Sequence, residues 1–239
     1  MSRLLSILFI FLLAISSLPA RTYIVSVGIA DYPGSRNDLR VSANDVKTIA
    51  GIFTKNGNAK VECFVNSDVT IQKVCTAMRN TFAKATPSDA IILYFSGHGI
   101  PGGLVCYDGF LYYSSILNIM KQSKARQKMI FVDACYAGKM RSTNRRSNNF
   151  SNENVMLFLS SRSTEKSLET PRQTGFKNSL FTVFLERGLR GGADTNKDRT
   201  ITAKEIYNFV HQGVVEASGN RQHPVMWGKF NENMLVIKW

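Results

Sequence analysis

Two stretches of sequence decide the fold. Residues 91–99 read IILYFSGHG, and residues 129–138 read MIFVDACYAG. Each is a continuous apolar run that ends in small residues, which is typical of a buried strand followed by a tight turn. If the two strands lie parallel, they carry His98 and Cys135 to the same edge of one sheet.

The rest of the chain alternates between strand and helix patterns. Strands are also predicted at 23–29, 61–65 and 155–159, and a strand at 234–237 is expected to close the sheet. Apolar stripes with helical spacing lie between them, at 46–53, 71–82, 116–120, 180–185 and 206–214. This alternation predicts an α/β protein with a six-stranded, mostly parallel sheet flanked by helices, a three-layer sandwich. Ligands in such sheets bind beyond the carboxyl ends of the strands.

The first twenty residues are expected to be a secretory signal peptide. Arg3 is followed by an apolar run over residues 4–15 and then by small residues up to Ala20. The run is short for a membrane span, although an uncleaved anchor is the alternative. We therefore expect an exported protein, periplasmic or secreted, with a single domain over residues 21–239 and no membrane contact after cleavage.

The composition limits the remaining function classes. The formal charge is +13, which would suit nucleic acid or an anionic surface. The basic residues are scattered and no nucleic-acid motif is present, so nucleic acid is not the predicted partner.

The four cysteines carry no pattern of a metal or redox site. Cys63 and Cys75 occupy apolar positions and are expected to be small buried side chains, and no CxxC pair is present. This argues against a zinc site or a thioredoxin-like motif.

His98 and Cys135 together suit nucleophilic catalysis. A thiol attacks as the thiolate, and a nearby imidazole takes its proton or lowers its pKa. Gly97 and Gly99 let the backbone approach a substrate, and N–H groups at Gly99 and Cys135 could face an oxyanion. The alternative is a core histidine and an inert cysteine, but the placement of both at strand ends favours catalysis.

These two motifs resemble the paired signatures of the caspase-like cysteine peptidases. They are closer to metacaspases and their bacterial relatives than to animal caspases, because Asp133 stands where caspases have glutamine. The separation of His98 and Cys135 is also shorter than the roughly 50 residues typical of caspases. The resemblance covers the chain from Tyr23 to its end.

The resemblance implies a role for each matching residue. Cys135 would be the nucleophile and His98 the general base and acid, with the N–H groups of Gly99 and Cys135 forming the oxyanion hole. Asp133, Asp45 and Ser96 would line a pocket for an arginine or lysine side chain before the cleaved bond. Two carboxylates attract a cation and reject an acid. For Asp45 the alternative is an acid that stabilises a helix start.

A polar loop follows the nucleophile. Residues 139–154 are predicted to be exposed and include Lys139, Arg141, Arg145 and Arg146. An enzyme that cleaves after basic residues could cut itself here. The alternative is a plain solvated loop.

Residues 194–205 resemble a calcium-binding EF-hand loop. The predicted oxygen ligands are Asp194, Asn196, Asp198, the Thr200 carbonyl, Thr202 through water, and Glu205. Arg199 stands where the sharp turn favours glycine. A turn capped by Asp194 and Thr202 before a helix is the alternative.

Taken together, the sequence predicts an exported cysteine endopeptidase that cleaves peptides after Arg or Lys through an acyl-enzyme. Its partner is a peptide or protein substrate; no cofactor is required, and calcium is an optional ligand. Two alternatives remain: a non-catalytic caspase-like module that binds basic peptides or a partner, and an envelope-binding protein that uses the positive charge.

Overall fold

The computed structural model of the protein describes residues 20–56, 58–135, 137–140, 155–170 and 175–239. In chain order its elements are β1 (Thr22–Gly28), α1 (Ser42–Lys55), β2 (Ala59–Val65), α2 (Ile71–Phe82), β3 (Ala90–Ser96), β4 (Gly99–Ile100), β5 (Gly103–Cys106), β6 (Gly109–Tyr112), α3 (Tyr113–Gln122), β7 (Gln127–Asp133), β8 (Val155–Leu159), α4 (Leu180–Arg187), β9 (Thr200–Thr202), α5 (Ala203–Ala217), β10 (Val225–Trp227) and β11 (Leu235–Lys238).

The described strands form a central six-stranded sheet in the order β10-β8-β7-β3-β1-β2. Neighbouring strands from β2 to β8 pair in parallel, and β10 pairs antiparallel with β8. The predicted fold class, an α/β sandwich with a mostly parallel sheet of six strands, is confirmed. The continuous apolar strands are explained by their burial on both faces.

Helices cover each face of this sheet. On one side α1, α4 and α5 pack against alternate strand residues such as Ile24, Ile92 and Met129. On the other side α2 and α3 pack against the residues in between, such as Val25 and Leu93. The period-two alternation of side chains along each strand therefore divides the core into two layers.

One strand was assigned to the wrong sheet. The segment 234–237 does form a strand, β11, but it pairs with β9 in a separate two-stranded sheet. The sixth strand of the central sheet is instead β10, which pairs with β8. A short apolar run predicts strand conformation, but it carries no information about which ladder the strand joins.

Two predictions of burial were also wrong. Cys63 on β2 is exposed, because β2 lies at the edge of the sheet, whereas Cys75 is buried as expected. Met140, in the segment predicted to be an exposed loop, is buried in the core. The remainder of that loop, 141–154, lies outside the described residues.

Beyond the central sheet, β4, β5 and β6 form a small antiparallel sheet directly after His98. Within the part of the chain that the structure describes, no helix has the length and hydropathy needed to span a bilayer.

Candidate active site

The register between β3 and β7 brings the two sequence motifs together. Ser96, the last residue of β3, pairs with Asp133, the last residue of β7. One more hydrogen bond joins the two strand ends just beyond this point, where the Gly97 N–H donates to the Asp133 carbonyl at 3.1 Å. His98 and Cys135 each lie two residues past the paired positions, so both follow the carboxyl ends of neighbouring parallel strands.

The turns that follow these strands are in direct contact. A Cβ atom placed on Gly99 would lie 2.5 Å from the Cys135 carbonyl oxygen and 3.1 Å from the Ala134 side chain. Only glycine fits at this position, since real Cβ atoms do not approach backbone so closely. The glycine predicted to let the backbone come close to a substrate thus also lets one turn pack against the other.

His98 is fixed by groups outside its own turn. Its Nε2 lies 2.7 Å from the Asn37 carbonyl oxygen, and its backbone N–H donates to the Tyr32 hydroxyl at 2.8 Å. The Tyr32 and His98 rings are 4.7 Å apart between centroids. Because a carbonyl only accepts hydrogen bonds, the neutral imidazole must carry its proton on Nε2, which leaves Nδ1 as the basic nitrogen.

Cys135 is only partly buried, as is His98, so both residues are in contact with solvent. The Cys135 sulfur lies 4.0 Å from the carbonyl oxygen of Ser167, in the segment that follows β8. A free thiol and an imidazole on adjacent, partly exposed turns are the two groups that nucleophilic catalysis by cysteine requires.

The three residues predicted to line the pocket, Asp45, Ser96 and Asp133, form one buried cluster. The Ser96 hydroxyl donates to Asp45 Oδ2 at 2.8 Å, and the Ser179 N–H donates to Asp45 Oδ1 at 2.9 Å. Ser179 also bonds Asp133 Oδ2 through its hydroxyl, so one residue bridges both carboxyl groups.

Further hydroxyl groups surround Asp133. Thr182 donates to Oδ2 at 2.8 Å, and Ser167 donates to Oδ1 at 2.5 Å. The Tyr94 hydroxyl in turn lies 2.5 Å from that of Thr182. Asp133 is 4% exposed and Asp45 is 0% exposed, so the carboxyl groups lie beneath the protein surface in this conformation.

Burial governs the acid–base behaviour of this cluster. It raises the pKa of Asp45 well above its ordinary value, and the neighbouring charge of Asp133 adds to the rise. Burial also raises the pKa of Asp133, although the hydroxyl groups of Ser167, Ser179 and Thr182 partly oppose this.

Several residues of the site were not predicted from the sequence. Tyr32, Asn37, Ser167, Ser179 and Thr182 come from loops and helix starts far along the chain from the two motifs. Serine, threonine and asparagine are common in such segments, so no local signal distinguishes these positions.

The residues of the predicted calcium loop form hydrogen bonds with one another. Asp194 accepts N–H bonds from Asp198 and Arg199, and Asp198 accepts from Thr200. Glu205 accepts from the N–H and hydroxyl of Thr202.

Arg199 adopts a φ of 63°, the left-handed conformation that glycine takes in the EF-hand turn. Among the described residues no three His, Cys, Asp or Glu side chains are grouped as metal ligands. The side-chain amide of Asn196 donates a hydrogen bond to the Asp198 carboxylate. The carboxylate groups of Asp194, Asp198 and Glu205 thus accept hydrogen bonds from the loop itself.

Comparisons with known proteins agree with this fold. A family model described as the caspase domain of peptidases matches residues 21–235. The fold is similar to the crystal structure of protein GSU0716 from Geobacter sulfurreducens, with a TM-score of 0.66, 15% identity, and coverage of 88% of this chain and 94% of that chain. At that identity the likeness concerns the fold alone. No curated protein matches the chain.

Proposed function

Because the chain belongs to the caspase domain family of cysteine peptidases, we propose that it is an exported endopeptidase that cleaves after arginine or lysine. Cys135 is the nucleophile and His98 the general base and acid. The observation that supports this proposal is the contact between the two turns, one of which carries the partly exposed Cys135 and the other the partly exposed His98.

Because the Asn37 carbonyl holds the proton of His98 on Nε2, Nδ1 is the nitrogen that acts as the base. Nδ1 of His98 takes the thiol proton as the Cys135 sulfur attacks the substrate carbonyl carbon, and the N–H groups of Gly99 and Cys135 hold the resulting oxyanion. The imidazolium then gives this proton to the leaving amine, and the C–N bond breaks to leave a thioester on Cys135. Water, deprotonated by Nδ1, attacks the thioester, and the proton returns to the sulfur as the acid product leaves.

Specificity for a cation is supported by the carboxyl groups of Asp45 and Asp133. Asp133 precedes the nucleophile by two residues, and Ser167 contacts both: its hydroxyl donates to the Asp133 carboxyl group and its carbonyl oxygen lies near the Cys135 sulfur. Ser167 is partly exposed and its hydroxyl donates to Asp133, so the substrate cation is proposed to replace this hydroxyl at the carboxyl group. A carboxylate in a low-dielectric site favours a cation and disfavours an acidic side chain.

Two further parts of the proposal concern processing. The basic residues at 139–146 would be a site of self-cleavage, and the leader over residues 1–20 would be removed on export. Intact mass spectrometry of the wild type and of Cys135→Ala tests self-cleavage. A chain cut only in the wild type supports it, and equal unbroken masses exclude it.

The catalytic proposal is tested with matched fluorogenic peptides that differ only in the residue before the bond: Arg, Lys, citrulline or Asp. Wild type is expected to cleave the first two, and Cys135→Ala to lose about a thousandfold or more of kcat/KM. Cys63→Ala, on the exposed edge strand, is the control and should retain activity. Equal activity in Cys135→Ala, or a preference for Asp, would contradict the proposal.

A further inference from the structure

The buried carboxyl pair, defined here as Asp45 and Asp133, has an unusual set of partners. Ser179 bridges the two groups, with its N–H on Asp45 and its hydroxyl on Asp133. The other hydrogen bonds that the described residues make to the pair come from the hydroxyl groups of Ser96, Ser160, Ser167 and Thr182. Within the described chain, all of these donors are neutral, and no lysine, arginine or histidine bonds to either carboxyl group.

Two ionised carboxylates in such a place would be unfavourable. Removing a carboxylate from water without a counter-ion costs several kcal/mol, and hydroxyl donors recover only part of that cost. Two like charges that share a partner repel each other in addition. Burial and the charge of Asp133 raise the pKa of Asp45, in agreement with this reasoning. The arrangement therefore favours a single negative charge on the pair, with one proton retained.

Among the described residues, the groups around the pair supply no positive charge. On the β3 side the titratable group is Tyr94, which contacts Thr182; burial raises its pKa, so it stays neutral. On the loop side Arg40 bonds Glu169 and the Thr170 carbonyl rather than the pair. His98 and Cys135 lie beyond the strand ends and bond to backbone carbonyl groups.

We propose that the carboxyl pair holds one shared proton in the free enzyme and releases it to solvent when the side chain of a substrate arginine or lysine binds. This inference rests on the proposed function. The entering cation displaces the Ser167 hydroxyl from Asp133 and supplies the positive charge that the pair lacks. One positive charge enters and one proton leaves, so the charge of the pocket is unchanged. A neutral side chain of the same shape displaces no proton.

Proton release is measured by isothermal titration of Cys135→Ala with the dipeptide amide acetyl-Leu-Arg-NH₂, in buffers of different ionisation enthalpy at one pH near neutrality. The expected result is the release of close to one proton per peptide bound. The citrulline peptide, which is uncharged, is the control and should bind weakly with no release. Binding of the arginine peptide with no proton released would overturn the inference and leave the proposed specificity intact.

The proton itself is observed in the free enzyme, without any ligand. Infrared spectroscopy of Cys135→Ala should show the carbonyl stretch of a buried protonated carboxyl group, and the further change Asp45→Asn should remove it. Absence of the band in the parent protein overturns the inference directly. If the band is present but the arginine peptide does not bind, the proposed cation specificity fails, and the exchange fails with it.

Discussion

Tyr32 shows how a single residue supports His98, the proposed general base, from another part of the chain. Its hydroxyl accepts the His98 N–H at 2.8 Å and donates to the Val105 carbonyl at 3.3 Å. Its ring also lies beside the imidazole. The backbone of His98 is thereby connected through Tyr32 to Val105 in β5 of the small sheet that follows it.

Tyr32→Phe is expected to weaken activity more than folding. Removing the hydroxyl leaves the backbone N–H of His98 without its hydrogen-bond acceptor, which lowers the free energy of unfolding by about 1–3 kcal/mol. We expect kcat/KM to fall about tenfold, with a modest drop in melting temperature. Tyr113→Phe is the matched control, since the Tyr113 hydroxyl is buried and has no partner in the described structure. An equal loss of activity in both variants would contradict this role.

Asp45 should make stability depend on pH in the direction opposite to most acids. Its folded pKa is raised by burial and by Asp133, so the folded state holds a proton that the unfolded state releases above about pH 4. Stability is therefore greatest below that pH and falls as pH rises towards the folded pKa. Asp45→Asn is expected to raise the melting temperature at pH 8 and to change it little at pH 4.

Asp89 provides the control for that experiment. Burial opposes its ionisation, but hydrogen bonds from Arg21 and Thr86 hold the pKa of this carboxyl below its ordinary value. The stability that the ionised Asp89 carboxylate contributes is present above its unfolded pKa and is lost as pH falls through its folded pKa. Asp89→Asn should thus lower the melting temperature at pH 8. The same sign for both variants at pH 8 would refute the assignment.

At the scale of elements, α5 begins with a reciprocal cap. The Thr202 hydroxyl accepts the Glu205 N–H, and the Glu205 carboxylate accepts the Thr202 N–H, which forms a capping box. Thr202→Ala should lower the free energy of unfolding by about 1 kcal/mol, measured by urea denaturation. Thr195→Ala, on the exposed side of the same carboxylate, should have a smaller effect. Equal losses of unfolding free energy in the two variants would show that the capping box is not the main stabilising interaction of Glu205.

This use of Glu205 also bears on calcium. An EF-hand needs a free bidentate carboxylate at this position, whereas both oxygens of Glu205 accept bonds from Thr202 and Thr195. We expect millimolar calcium to leave the melting temperature unchanged. A rise that is lost in Glu205→Gln would instead establish a calcium site at 194–205.

At the scale of the whole molecule, β3 occupies the centre of the fold. It pairs with β1 on one side and β7 on the other, and helices cover both of its faces. Leu93 lies in the middle of this strand and is 0% exposed. The same strand carries Ser96 and leads to His98, so packing of the core and positioning of the site depend on one element.

Leu93→Ala is therefore expected to lower the free energy of unfolding by about 3 kcal/mol, because a cavity would form in a close-packed layer. Chemical denaturation monitored by circular dichroism measures this loss. Phe110→Ala, at a side chain that is 50% exposed, should change it by less than about 0.5 kcal/mol. Similar effects in both variants would show that β3 is not central to stability.

The sequence by itself determined the layered α/β architecture and the placement of His98 and Cys135 after the carboxyl ends of parallel strands. Hydrophobic periodicity is local, and parallel strands that end in small residues bring their termini to one edge. The clustering of Asp45, Ser96 and Asp133 was inferred only through the family resemblance.

Only the tertiary structure decided the place of β10 and β11, the exposure of Cys63 and the partners of the site. Ser167, Ser179, Thr182, Tyr32 and Asn37 reach the site from segments that no local pattern connects to it. The physical reason is that strand pairing and buried hydrogen bonds are chosen by contacts distant in sequence, whereas propensity and periodicity extend over only a few residues.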